Sequence, residues 1–286
     1  MEKISLPQHF QNKLEQNNAL LGFVNTAFGE FGPWLERNNV KFFTEYTDHS
    51  LKHVEDVLNE AEDLIREQCK EYITPADVAT FTVATLLHDC AMHLSVDGFI
   101  ELVQLDNRPL IQGFGDKPWK FLWSDFLAEA RRFSGRKLVA LFGDSEPVKY
   151  PPMNSQKMTG RDLLLIGEFL RRHHHRLAHE IAIWGVPGPS DQKLKLITTD
   201  DTKYILELAG VTARSHGMNI RDCVDYLKSN YSSARIYKGI HTIFIMALLR
   251  IADILQIESD RAPDLPPNIC TTHKVSSTDI VLVGWT

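Results

Sequence analysis

The run Ala84-Thr85-Leu86-Leu87 ends abruptly in an adjacent imidazole and carboxylate, His88-Asp89, followed by Cys90-Ala91-Met92-His93. An apolar helix that ends this way restricts the fold severely, because burying a lone carboxylate costs several kcal/mol or more. The rest of the chain must bring partners to the pair, and a metal ion is a partner that suits both side chains.

Composition bounds what those partners can be. The chain has 286 residues, 43% hydrophobic and 24% charged, enough to bury a sizeable core without disulfides. A net charge of -6 argues against whole-surface binding to nucleic acid and confines any basic site to a local groove. Cys69, Cys90, Cys223 and Cys270 stand far apart with no CxxC pair, which argues against a thiolate zinc site and a disulfide framework. Met1 to Asn18 lacks the apolar core of a signal peptide, and no uninterrupted apolar run approaches the ~18 residues of a membrane span. A soluble, cytoplasmic protein with no membrane partner is expected. Histidine is the outlier: of 12 in all, nine fall between His49 and His216.

Periodicity predicts an all-α chain. Residues 19–43 repeat at helical spacing with Pro33 as a break or kink, and residues 48–69 form an amphipathic helix. Thr74-Pro75-Ala76-Asp77 is an N-cap signature opening the helix that runs to His88-Asp89. A loop-rich stretch follows, with Gly113, Gly115, Pro118, Trp119, Phe121 and Trp123, then a helix over 125–141. Thr159-Gly160-Arg161-Asp162 opens a long helix through Trp184, and two more helices are expected around 202–215 and after the Asn219 cap to about Ser229. Residues 240–257 are apolar nearly all round, which predicts a central buried helix. Past Pro266 the β-branched runs 271–275 and 280–283 read as a β-hairpin. The expected layout is a helical support over 1–44, a main domain over 45–262, and a hairpin over 263–286 that begins a further, C-terminal domain of the same polypeptide.

His49 and His53 are i and i+4 and share one helix face. Asp253, inside an apolar helix, would be very costly without a cation or charged partner. Three helices can thus converge on one ion through His53, His88, Asp89 and Asp253. Mixed His/Asp ligation of this kind suits a divalent transition metal, or Mg or Mn with water completing the shell.

The order His…His-Asp…Asp on an all-helical chain resembles the HD-domain metal-dependent phosphohydrolase superfamily, over about residues 45 to 260. The stretch His49-Ser50-Leu51-Lys52-His53-Val54-Glu55-Asp56-Val57 resembles the cyclic-nucleotide phosphodiesterase helix His-Asn-x-x-His-Ala-x-Asp-Val. That resemblance implies His53 as metal ligand and His49 as the general acid that protonates the leaving oxygen. The stretches 88–95, 171–180, 213–217 and 248–256 resemble HD domains that precede GHKL-type ATPase modules in large bacterial proteins. Many HD proteins carry a second metal held by further histidines. His174 lies in the stripe of Leu163, Ile166, Leu170, Leu177 and Ile181, whereas His175 and His179 share the more solvated flank of Glu168 and Arg172. His174 and, opposite it, His216 are therefore the candidates, with Asp89 bridging two ions.

The resulting expectation is an HD-type helical bundle holding one or two divalent ions (Mn, Mg, Fe, Zn or Ni). It would cleave a phosphoester in a nucleotide, cyclic nucleotide or nucleic acid by metal-activated hydroxide. Arg214 and Arg250 are candidates to neutralise transition-state charge, and His93 is a candidate for a ligand, a substrate donor or a capped-helix histidine. The alternative is a nucleotide-binding regulatory module that does not hydrolyse but controls a C-terminal ATPase or effector domain. The Arg131, Arg132, Arg136, Lys137 cluster reads as a solvated helix face or a phosphate or nucleic-acid contact, and Trp119, Phe121 and Trp123 as packing or base stacking.

Overall fold

The computed structural model of the chain describes residues 5–36, 41–43, 50–104, 108–188, 194–200 and 202–256. Among them every regular element is a helix: α1 (Gln8–Leu14), α2 (Asn18–Glu36), α3 (Leu51–Leu64), α4 (Glu67–Lys70), α5 (Pro75–Leu87), α6 (Val96–Gln104), α7 (Trp119–Ala130), α8 (Gly135–Phe142), α9 (Gly160–Trp184), α10 (Lys203–Ser215), α11 (Ile220–Asn230) and α12 (Thr242–Leu255). Short 3-10 turns lie at Cys90–His93 and Ser155–Lys157. The all-α expectation holds for these residues, whose β pairing is an isolated antiparallel bridge between Tyr237 and Ile240. The hairpin expected over 263–286 lies outside the described residues. All described residues belong to one unit, Met1–Gln256.

Two helices that carry site residues start at capping boxes. At α5 the Thr74 hydroxyl accepts from Asp77 N while the Asp77 carboxylate accepts from Thr74 N, and Pro75 occupies the first helical position. Thr159 and Asp162 do the same for α9. Asp77 also accepts from the His241 backbone N–H at 2.6 Å and from its Nδ1 at 2.8 Å, which ties the start of α12 to the start of α5.

The central helix is α5, buried at every position from Asp77 to Leu87, with α1, α2, α3, α10 and α12 packed around it. The prediction for residues 240–257 is corrected accordingly. Helix α12 buries Thr242, Ile245, Met246, Leu248, Leu249 and Ala252 but exposes Phe244 (43%), Ile251 (49%), Ile254 (67%) and Leu255 (46%). Small residues explain the difference. Ala79, Thr80, Thr82, Ala84 and Thr85 let neighbours close on all sides of α5, and the Thr80 and Thr85 hydroxyls are satisfied by Ala76 O and Phe81 O.

The aromatics of the expected loop belong instead to α7, and the helix expected over 125–141 is broken, with Ser134 capping α8 through Lys137 N. Trp123 meets Phe99 and Phe169 at ring-centroid distances of 5.0 and 5.1 Å, edge to face. Trp119 is buried too, whereas Phe121 is exposed. Helices α9 and α10 approach closely at Gly210, where a Cβ would meet His179 Cδ2 at 2.6 Å and Ala182 Cβ at 2.9 Å. No helix among the described residues is long and apolar enough to cross a membrane.

Candidate metal centre

His53 sits in the first turns of α3, whose apolar stripe of Leu51, Val54, Val57, Leu58 and Ala61 turns it inward, and the side chain is nearly fully buried. His88 is the C-cap of α5, and Asp89 begins the 3-10 turn that follows. Asp253 comes from α12, which packs on α3 and α10. His53 Nε2 lies 3.3 Å from His88 Nε2, and Asp253 Oδ1 lies 3.5 and 3.6 Å from those two nitrogens.

Asp89 faces two ways. Its Oδ2 is 3.3 Å from His88 Nε2 and 3.8 Å from His53 Nε2, while its Oδ1 is 3.4 Å from His174 Nε2 and 3.7 Å from His216 Nε2. The ligand atoms of His53, His88 and Asp89 fall within 4.8 Å of one another, and so do those of Asp89, His174 and His216.

The ring orientations are fixed from outside the cluster. His88 Nδ1 donates to Thr85 O at 2.7 Å, His174 Nδ1 to Arg171 O at 2.8 Å, and His216 Nδ1 to Ala213 O. For His88 and His216 these acceptors are carbonyls in the last turn of a helix. His53 Nδ1 donates to Gln256 Oε1 at 2.8 Å. With each Nδ1 protonated, four Nε2 lone pairs point inward, and His174 Nε2 and His216 Nε2 stand only 2.7 Å apart. Facing lone pairs repel unless a cation lies among them. Four imidazoles and two carboxylates, with no thiolate, form a donor set that fits divalent first-row metals.

The electrostatics agree. Burial disfavours the His88 imidazolium, yet the carboxylates of Asp89 and Asp253 outweigh it and hold its pKa well above the ordinary value. Burial opposes the Asp253 carboxylate, but its contacts with His53 and His88 hold its pKa well below the usual carboxylate range. His216 is lowered to about 4 by burial, helped by His174 and His88. The two carboxylates thus draw a proton onto His88 in the absence of a metal, and a divalent cation would take the place of that proton.

Several expected residues lie elsewhere. Arg214 does not face the cluster: its guanidinium is buried in a bidentate pair with Asp116 (2.6 and 2.8 Å) and stacks over Phe114. Arg250 donates to Ser215 O and Met218 O at the end of α10 and so anchors the turn that carries His216. His93 belongs to neither ligand group; its buried ring packs 5.8 Å from that of Trp34. His49 lies outside the described residues. Within the histidine run, His173 packs on Phe169 and Trp119, and His175 fills the space under Gly217, where a Cβ would meet its ring at 2.6 Å. The solvated flank expected for His175 and His179 is not observed: His179 is fully buried between Phe114 and Tyr226. Gln256 escaped the sequence reading, although its spacing from Asp253, i and i+3, places both on one side of α12.

A family model described as HD-CE matches residues 43–279 of the chain. Comparison with curated proteins and with solved structures returns no match.

Proposed function

The chain belongs to the HD-CE family, and from that premise we propose that it is a divalent-metal-dependent phosphohydrolase acting on a phosphoester of a nucleotide, a cyclic nucleotide or a nucleic acid. The observation that carries this reading is the two-sided environment of Asp89, one oxygen turned to His53 and His88 and the other to His174 and His216. In the proposal His53, His88, Asp89 and Asp253 hold one ion, and Asp89, His174 and His216 a second. Divalent ions at such a centre supply Lewis acidity, activating water and neutralising charge on phosphoryl oxygens.

The remaining roles belong to the chain. The carbonyls of Thr85, Arg171 and Ala213 and the Gln256 carboxamide hold the Nδ1 protons, so that the four Nε2 atoms aim inward and would be the ones to ligate a metal. His49 is proposed as the acid that protonates the leaving oxygen. Arg250 acts through the position of His216 and Arg214 through the fold, so neither is assigned contact with the phosphoryl group.

Elemental analysis of the purified protein and a hydrolysis panel of nucleotides, cyclic nucleotides and oligonucleotides test the proposal. Wild type is expected to retain metal and turn over at least one class, and Asp89→Ala to lose both. A metal-free, inactive wild type would sink it. Bound metal and tightly bound nucleotide without turnover would assign the centre to a non-hydrolytic regulatory module instead.

A further inference from the structure

Between Arg131 and Arg161 the chain carries seven Lys/Arg and two Asp/Glu, although the whole sequence has a net charge of -6. These cations lie along one continuous stretch, from the end of α7 through α8 to the loop that leads to α9, and the contact of Arg131 with Tyr150 brings the end of α7 beside that loop. Arg131, Arg132, Arg136, Lys149 and Lys157 are exposed, and none of them makes an ion pair among the described residues. Aromatic rings lie between the charges. Tyr150 is 64% exposed, with the Arg131 guanidinium 5.4 Å above its ring, and Lys137 Nζ lies 3.9 Å over Phe133.

Beside this surface, a cavity of about 300 Å³ opens between the end of α8 and the first turn of α9. Val148 and Leu165 give it apolar walls, Lys149, Tyr150 and Lys157 supply polar ones, and the carboxylates of Glu146 and Asp162 also line it. The loop over it is pinned, because Arg161 pairs with Asp144, donates to Glu146 O and stacks on Phe142. The surface starts next to the part of α9 that bears the metal centre: Arg172, two residues from His174, pairs with Glu129 of α7 at 2.8 Å.

We propose that this face, formed by α7, α8 and the 143–158 loop, docks single-stranded nucleic acid, its cations tracking phosphates while Tyr150 and the cavity receive bases. Cations interleaved with an exposed ring form a stacking platform of the kind single strands use. A lipid surface would need neither a ring backed by a guanidinium nor a cavity of base-accommodating size. The docking face contains none of the candidate metal ligands and stands independently of the phosphohydrolase reading.

The test uses the full chain and a fluorescein-labelled oligo-dT of ~20 nucleotides, longer than a typical single-strand site, read by anisotropy across a salt series. Binding that weakens with salt is expected. Arg132→Glu/Arg136→Glu and Lys149→Glu/Lys157→Glu should each lose tenfold or more in affinity, with a log K against log salt slope shallower by about 1.4, or 0.7 per cation removed. Tyr150→Ala should weaken binding roughly tenfold without changing the slope. Melting temperatures should match wild type, since all five side chains are exposed. No binding at low salt, unchanged affinity in both double variants, or preference for phosphatidylserine vesicles over the oligonucleotide would overturn the proposal. Metal content of the same samples separates the two readings: a metal-free protein that binds the oligonucleotide removes the phosphohydrolase reading and leaves docking intact.

Discussion

His88, His174 and His216 each use a backbone carbonyl three residues earlier to hold the Nδ1 proton. For His53 the acceptor is the side chain of Gln256, which can be changed without touching a ligand. Gln256→Leu is expected to lower metal affinity roughly 10–100-fold, and Gln256→Glu to restore it, as measured by competition with a chelating dye; equal affinities in all three proteins would remove Gln256 from the centre. His179 offers a different test. Neither ring nitrogen has a hydrogen-bond partner among the described residues, and burial, with Arg214 adding to it, holds the pKa well below its ordinary value. The unfolded chain therefore takes up a proton below about pH 6.5 that the folded chain refuses, so this residue's contribution destabilises increasingly as pH falls, by up to roughly 1.4 kcal/mol per pH unit. His179→Leu should be more favourable relative to wild type at pH 5 than at pH 7.5 in urea denaturation, and a pH-independent difference would contradict that reading. Sequence periodicity turned His174 inward, and its Nε2 lies 3.4 Å from Asp89 Oδ1, but it placed His179 on a wet flank. A single apolar stripe describes one neighbour, and α9 is covered on further sides by α10 and by the segment bearing Phe114.

At the scale of elements, capping chemistry was the most legible signal. Thr74-Pro75-Ala76-Asp77 and Thr159-Gly160-Arg161-Asp162 mark the starts of α5 and α9 because side chain and backbone satisfy each other within four residues. The break between α7 and α8 and the depth of α12 were not legible, since both depend on what packs against the helix. The segment before α7 shows how nonlocal that information is. Asp116 binds Arg214, Arg176 donates to Lys117 O at 2.6 Å and to Glu180 at 2.8 Å, and Trp119 Nε1 donates to Glu180 at 2.7 Å. This buried network fastens the approach to α7 onto α9 and α10. Asp116→Ala leaves the buried Arg214 charge uncompensated and should destabilise the protein by about 3–5 kcal/mol. Chemical denaturation measures this, and a loss below about 1 kcal/mol, typical of an exposed pair, would show that the network is not what secures the segment.

For the whole molecule, the order His…His-Asp…Asp along an all-helical chain pointed to His53, His88, Asp89 and Asp253, which the structure brings together. The resemblance to two-metal HD proteins also put Asp89 between His53 and Asp253 on one side and His174 and His216 on the other; what neither could supply is the distances, because those depend on how α3, α5, α9, α10 and α12 meet. A cation held by groups from so many elements stabilises only the folded state. Removing it with a chelator should lower the melting temperature, and restoring a metal at about 100 times its Kd should recover about 2.7 kcal/mol; a melting curve indifferent to chelator would argue against a bound ion in the folded chain. The same spread along the chain has a consequence in time. Some 203 residues separate His53 from Gln256, and synthesis at roughly 5–20 residues per second makes the first ligand about 10–40 s before the residue that orients it. During that interval a nascent chain has the residues of α3 and an incomplete donor set, so loading of a metal there would have to follow the synthesis of α12.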